Sequence, residues 1–333
     1  MRLGLILPGL GQDDWRDLVG KVRIADELGY ARVVGTEAWG VSPIPLLSVL
    51  ATSTSQIEIG SSIVNNFSRS PGALAQEFAG LDQLSGGRAV LGLGSSGAFV
   101  IEHFHGMKFE KPLRRLREYV EIFNTLISGE PLNYEGEIFH MSRDFRLQYD
   151  RPRAHIPVYI AAITPKSIRQ TGEIADGIIP IHWPKRHFHT LKDQLVEGAL
   201  AAGRDPSNLT IAVQTHVHIL DGTKEAEEWR AARQPLQYYI NRMGVFYWQM
   251  LTRNGFEAEV AASREAWANR DVEASIAAIS EDMVREISVI GPIESVREQL
   301  RERADLGADI QMIYMPGGSV AEVGKTLEAM IQG

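Results

Sequence analysis

The sequence predicts a (β/α)8 TIM barrel, on three observations. Short apolar runs alternate with longer amphipathic ones, eight strand-like runs can be counted, and several helix-to-strand joints carry glycine. Strands that alternate with helices pair in parallel through right-handed crossovers. Eight such units suit a closed barrel better than an open doubly wound sheet. The 333 residues exceed the roughly 250 of a typical barrel, but α/β barrels extend that far as one unit. A single domain over 1–333 is expected.

The elements follow in order. RLGLIL (2–7) reads as the first strand, and 15–28 carries apolar residues at helical spacing. ARVVG (31–35) is the second strand and 43–54 the next helix. IEIGSSIV (57–64) is the third strand, with polar residues near its end. The helix 71–85 opens on proline at a first helical position. RAVLGLG (88–94) is the fourth strand, and 111–128 a long amphipathic helix. NYEGEIFHM (133–141) reads as a small hairpin turning at Glu135-Gly136. IPVYIAA (156–162) and GIIPIH (177–182) are strands five and six, followed by helices over 165–175 and near 187–202. LTIAVQTHVHIL (209–220) is the seventh strand. After a helix over 292–306, ADIQMIYMP (308–316) is the eighth, and a terminal helix begins near Val320. Gly29, Gly86, Gly177 and Gly307 mark helix-to-strand joints, where glycine supplies the left-handed residue that ends a helix. The segment 221–287 is mostly helical and interrupts the alternation between strands seven and eight. It reads either as an insertion at the C-terminal face of the barrel, a lid, or as a packing or dimer-interface helix pair.

Composition narrows the function classes. With no cysteine, disulfides, thiolate zinc sites, iron–sulfur ligation and a cysteine nucleophile are excluded. A net charge of −8 argues against nucleic acid as a partner. No run reaches the 18 apolar residues of a membrane span, and 2–7 is too short for a secretory leader. A cytoplasmic protein acting on a small molecule is expected, without a membrane partner.

In such a barrel the chemistry sits at the C-terminal strand ends. The residues there are Pro8 and Gly9; Glu37; Ser62, Ile63, Asn65 and Asn66; Gly94, Ser95 and Ser96; Ala161, Ala162 and Thr164; Ile181 and His182; Gln214, His216 and His218; Pro316 and Gly317. Glu37 is the one carboxylate among them, so paired carboxylates for glycoside hydrolysis do not converge. The three histidines without a carboxylate partner read better as core or solvent-facing groups than as metal ligands, and no metal is expected. GLGSSG (92–97) lacks the spacing of a dinucleotide fold or a P-loop. Its glycines either let the backbone approach a flat ligand or make a tight turn. Thr164-Pro165 opens a helix whose free N–H groups suit a phosphate, or simply a capped start.

The run GSSIVNNFSRSPGALAQEFAGLDQLSGGRAVLGLGSSG (60–97), with HGMKFEKPLRRLREYVEIFNTLISGEPLNYEGEIF (105–139), PVYIAAITPKSIRQTGEIADGIIP (157–180) and GPIESVREQLRERADLGAD (291–309), resembles the bacterial luciferase-like superfamily. Within it, the similarity is to the coenzyme F420-dependent oxidoreductases, methylenetetrahydromethanopterin reductase-like members included. It fails over 221–287. The resemblance implies a non-proline cis peptide at Ser62–Ile63, in a bulge behind the deazaflavin ring. It places Ser95, Ser96 and Gly97 beside the ring, Ala161, Ala162, Ile163 and Thr164 at the phosphate, and Ile181 and His182 along the ribityl chain or phosphate, with Asn65 a further cofactor-binding residue. Cations in the strand-end loops (Arg69, Lys108, Lys166, Lys185, Arg186) could attract an anionic cofactor tail. Two departures stand out: Glu37 is followed by Ala38 where some members carry histidine, and Gly97 stands where the sugar-phosphate- and alcohol-oxidising members carry glutamate. Glu37 is left as the candidate acid. The implied activity is hydride transfer between F420 and an organic substrate. An FMN-dependent monooxygenase is the alternative, and a non-catalytic flavin-binding protein the second. A homodimer is implied, with 43–54 and 71–85 as its apolar helices. The aromatics Trp229, Tyr238, Tyr239, Phe246, Tyr247 and Trp248 point to a planar or apolar substrate, or to helix packing.

Overall fold

The computed structural model describes residues 1–9 and 14–332. The strands are β1 (Leu3–Ile6), β2 (Arg32–Gly35), β3 (Glu58–Ser61), β4 (Val64–Asn65), β5 (Ala89–Gly94), β6 (Leu132–Glu135), β7 (His140–Phe145), β8 (Val158–Ile160), β9 (Gly177–Ile178), β10 (Thr210–Thr215), β11 (Val217–Ile219), β12 (Val289–Gly291) and β13 (Ile310–Tyr314). The helices are α1 (Trp15–Glu27), α2 (Ile44–Ser53), α3 (Pro71–Ser85), α4 (Ala98–His103), α5 (Pro112–Ser128), α6 (Pro165–Ile174), α7 (Phe188–Ala201), α8 (Glu225–Arg242), α9 (Val245–Arg253), α10 (Glu257–Ala268), α11 (Val272–Ala277), α12 (Glu281–Ile287), α13 (Ile293–Asp305) and α14 (Val320–Ile331).

The main sheet runs β3-β2-β1-β13-β10-β9-β8-β5-β4 and closes through a β3–β5 pairing. Every ladder in it is parallel. With β3 and β4 as two halves of one strand, this is the eight-stranded parallel barrel that the sequence predicts, with helices around it.

The core has two shells. Inside the barrel, Ile6, Val34, Val90, Tyr159, Ile179, Ala212, Ile310 and Met312 pack together. Outside, the apolar faces of the strands meet those of the helices. The barrel floor is polar: Arg32 donates to Glu58 at 2.9 Å and to the Tyr159 hydroxyl at 2.9 Å. At the same end, the buried Asp26 carboxylate accepts the N–H groups of Ser55, Gln56 and Ile57 and fixes the approach to β3.

Several elements differ from the sequence reading. The third strand, read from its residues as one run over 57–64, leaves the ladder at Ser62–Ile63, a cis peptide, where the resemblance places a bulge. The run 209–220 divides in two: β10 belongs to the barrel, whereas β11 leaves it and pairs with β12, an element the sequence did not reveal. The sixth strand is short, Gly177–Ile178, with further backbone bonds from Ile179 N to Ile160 O and from Gln214 N to Pro180 O. The short helix α4 follows β5. The hairpin turns over 136–139 and its second strand reaches Phe145. The cause lies in α5, where buried Glu118 accepts the N–H groups of Glu137, Ile138 and Phe139. The segment 221–287 folds as five helices, α8 to α12. No helix among the described residues is long and apolar enough to cross a membrane.

Candidate active site

The bulge of the third strand is built by its neighbours. Ser61 and Gly92 lock β3 to β5: the Ser61 hydroxyl donates to Gly92 O at 2.8 Å, and Gly92 N donates back at 3.0 Å. Gly92 must be glycine, since a Cβ there would fall 2.0 Å from the Ser61 carbonyl oxygen. Beyond this lock the chain turns. Ser62 N donates to Gly35 O, the Thr36 hydroxyl donates to Ser62 O, and Glu37 N donates to Ile63 O, all at 2.8 Å. The Ile63 side chain then lies across Gly94, where a Cβ would fall 2.3 Å from Ile63 Cδ1. The glycines of GLGSSG therefore make room for the bulge. At Gly92 and Gly94 the lack of a side chain serves this packing. Gly97 faces open space.

Four neighbouring strand ends, in the order β4, β5, β8 and β9, carry a contiguous strip. It runs from Ile63 through Ser95, Ser96 and Gly97 to Ala161, Ala162, Ile163 and Thr164, and ends at Ile181 and His182. Ser96 is exposed with φ 58°. Thr164 caps α6 in a reciprocal capping box with Ser167. That box engages the Ser167 N–H, and Pro165 has none, so the helix start presents fewer N–H groups to an anion than the sequence suggested. Lys166 N–H remains in the first turn. His182 is 1% exposed with φ 54°, and its Nε2 is buried without a partner. Burial, with His216 beside it, holds its imidazole well below the ordinary range, so the ring is neutral.

Glu37 and Asn65 are placed differently from the expectation. Glu37 Oε1 accepts from Arg69 at 2.6 Å, and Oε2 accepts from Asn65 N at 2.9 Å and Asn65 Nδ2 at 3.0 Å. Both carboxylate oxygens act as acceptors within this loop. Asn65 is buried. Its Oδ1 accepts from Phe67 N and Ser68 N, and its Nδ2 also lies 3.3 Å from His105 Nε2. The pair brackets the loop after β4. Charge is similarly compensated in the loops. Arg69 pairs with Glu37 and Glu77, Lys108 with Glu110, Lys185 with Glu302 and Arg186 with Asp282. Of the five cations singled out in the sequence, Lys166 alone makes no ion pair among the described residues.

The floor of the mouth is a polar chain the sequence reading did not assemble. The Tyr314 hydroxyl donates to Gln214 Oε1 at 2.8 Å, and Gln214 Nε2 donates to Ser62 Oγ at 3.2 Å. The alternation Ile310, Met312, Tyr314 points the tyrosine inward and could have revealed it. Above it, His216 stacks on Tyr314 (4.1 Å between centroids, 11°) and lies near-parallel to His182 at 5.9 Å and His218 at 6.5 Å. The inserted helices close over this wall. Tyr239 of α8 meets His182 edge-on at 4.4 Å, and Tyr247 of α9 meets Tyr239 at 4.8 Å. The other aromatics of the segment serve its own packing: Trp229 lies under Arg285 and Arg233, Trp248 under Arg264, and Phe246 is exposed. Among the described residues, no group of three metal-ligating side chains is placed to hold an ion.

Comparison with known proteins agrees with this fold. A model of the luciferase-like monooxygenase family matches residues 1–309. A Mycobacterium tuberculosis chain provisionally named as a coenzyme F420-dependent oxidoreductase is 28% identical over 349 aligned positions, covering 99% of each chain. The 5,10-methylenetetrahydromethanopterin reductase of Archaeoglobus fulgidus is 27% identical, over 92% of this chain and 93% of its own. Among solved structures, the coenzyme F420-dependent tetrahydromethanopterin reductase of Methanopyrus kandleri superposes with a TM-score of 0.81 at 24% identity, covering 99% of this chain and 97% of that one.

Proposed function

Because this chain belongs to the luciferase-like monooxygenase family, we propose that it is an oxidoreductase that transfers a hydride between coenzyme F420 and an organic substrate. One observation carries the reading. The strip from Ile63 to His182 is continuous over four neighbouring strand ends, and a buried, unpartnered Nε2 stands at its far end. An orphaned polar atom in such a place fits a ligand that completes it. The relatives named for F420 align over nearly the whole chain.

Ile63 and the bulge form the backing for the ring, with Ser62 held beneath by Gln214. Ser95, Ser96 and Gly97 flank the ring, where Gly97 leaves space. Ala161, Ala162, Ile163 and Thr164 take the phosphate with the first turn of α6, and Lys166 adds a positive charge beside it. Ile181 and His182 line the ribityl chain. When bound, F420 supplies a two-electron hydride carrier that reacts poorly with oxygen. The barrel orients the partners, and α8 and α9 keep water from the floor. Glu37 and Asn65 act through position, holding the loop after β4. The segment 221–287 is the lid of one barrel domain.

Anaerobic turnover tests this. Chemically reduced F420, mixed with the enzyme and a carbonyl substrate, is expected to reoxidise without oxygen. Turnover that needs both FMN and oxygen would assign the protein to flavin monooxygenation instead.

A further inference from the structure

The strip accounts for a cofactor and leaves open which group meets the substrate. Most polar groups around the mouth are engaged. The Glu37 carboxylate is held by Arg69 and Asn65, the Tyr314 hydroxyl donates to Gln214, and His218 Nδ1 lies 3.4 Å from Glu228. His182 Nε2 stands at the end of the cofactor strip, and His218 Nε2 is buried without a partner.

His216 differs from all of these. It is half-buried, and neither ring nitrogen has a hydrogen-bond partner among the described residues. Its orientation is nonetheless fixed. Tyr314 stacks on the ring at 4.1 Å, His182 and His218 lie near-parallel beside it at 5.9 and 6.5 Å, and Val289 N donates to its carbonyl at 2.8 Å. A rigidly held polar ring with open nitrogens is a preorganised hydrogen-bonding site.

We infer that His216 is the residue that contacts the substrate, and that it selects an uncharged oxygen function, a carbonyl or a hydroxyl group; the inference rests on the hydride-transfer reading above. The titratable groups facing it are His182 from the β9 end, His218 of β11 and Tyr314 of β13. Tyr239 of α8 and Tyr247 of α9 lie behind them. None is a lysine, an arginine or a carboxylate; the Glu228 carboxylate meets His218 Nδ1 at 3.4 Å. Burial first, and then the neighbouring His218, push the His216 imidazole down to about 4, so it is neutral at working pH. A neutral imidazole offers one N–H donor and one bare nitrogen acceptor. It can donate to a carbonyl oxygen or accept from a hydroxyl. A carboxylate or phosphate would be desolvated here without a counter-charge. The surrounding tyrosine and histidine rings favour a planar group beside that oxygen.

Side-chain 15N spectra of the histidines test this, with the His216 signal assigned by His216→Gln. Acetophenone and 1-phenylethanol are the uncharged probes, benzoate and phenyl phosphate the anionic ones, each titrated with and without F420. The expected result is a saturable shift of the His216 nitrogens with the uncharged pair, and at least tenfold weaker binding of the anions. His216→Phe keeps the stacking ring without its nitrogens. It should weaken acetophenone about tenfold, the loss expected for one hydrogen bond, while F420 affinity changes less than twofold. An unmoved His216 signal, or anions binding as well as acetophenone, would overturn the inference. Failure of wild-type protein to bind F420 in the same samples would instead contradict the cofactor reading, and the two failures are read separately.

Discussion

At the scale of single residues, two glycines two positions apart have different work. Alanine at Gly92 would meet the Ser61 carbonyl, which is backbone and cannot swing away. Gly92→Ala should destabilise the fold by about 3 kcal/mol, the upper range for overpacking. Alanine at Gly94 meets only the end of the Ile63 side chain. Gly94→Ala should cost about 1 kcal/mol in stability while displacing Ile63 and weakening F420 binding about tenfold. Urea unfolding and fluorescence titration of both variants separate these outcomes. Asp26 sets an acid limit. Burial alone would raise its carboxyl, but the N–H groups of Ser55, Ile57 and Gln56 outweigh that and hold it below the usual range. The unfolded chain therefore takes up this proton first. The stability it contributes is present in full above the ordinary value near about 4 and is lost as pH falls through the depressed one. Asp176 and Glu118 act in the same direction. Thermal melts of Asp26→Asn should lie below wild type at neutral pH and converge toward it in acid. Glu37 shows why single residues were harder to read than the fold. The lone carboxylate at that strand end gave no sign that Arg69, brought in by the next strand–helix connection, pairs with it.

At the scale of elements, periodicity located almost every strand and helix, because each has one apolar face against the barrel. It could not show where a ladder stops. IEIGSSIV reads as one strand with polar residues near its end, and only the hydrogen bonds made to Gly35 O and from Thr36 and Glu37 draw Ser62 and Ile63 out of register. LTIAVQTHVHIL has a similar history: β11 leaves the barrel for β12, a partner on the far side of the helical segment that no local pattern announces. That segment is tied to the mouth through Tyr239 and Tyr247. Tyr239→Ala should destabilise by about 3 kcal/mol, the low end for removal of a buried aromatic. Hydrogen exchange should quicken across α8 and α9 but not across α13. Unchanged exchange in α8 would mean that the aromatic contacts do not hold the lid.

At the scale of the whole molecule, the eight-unit alternation made the barrel legible before any coordinate. The quasi-contiguous strip of site residues followed from strand order, since β4, β5, β8 and β9 are neighbours. The polar chain Ser62–Gln214–Tyr314 was not legible, because it joins three strands distant in sequence. The expected homodimer would use α2 and α3, where Val49 and Leu84 are exposed. Sedimentation should then give about twice the 36.9 kDa chain mass, and Leu84→Glu should reduce it to one. The central claim, that the strip is an F420 site, is tested most directly by fluorescence titration of the purified protein with F420 and FMN side by side. Tight binding of F420 and weak binding of FMN, with F420 affinity reduced in His182→Ala and Gly97→Leu, is the predicted result. Preference for FMN, or F420 binding untouched by both substitutions, would contradict it.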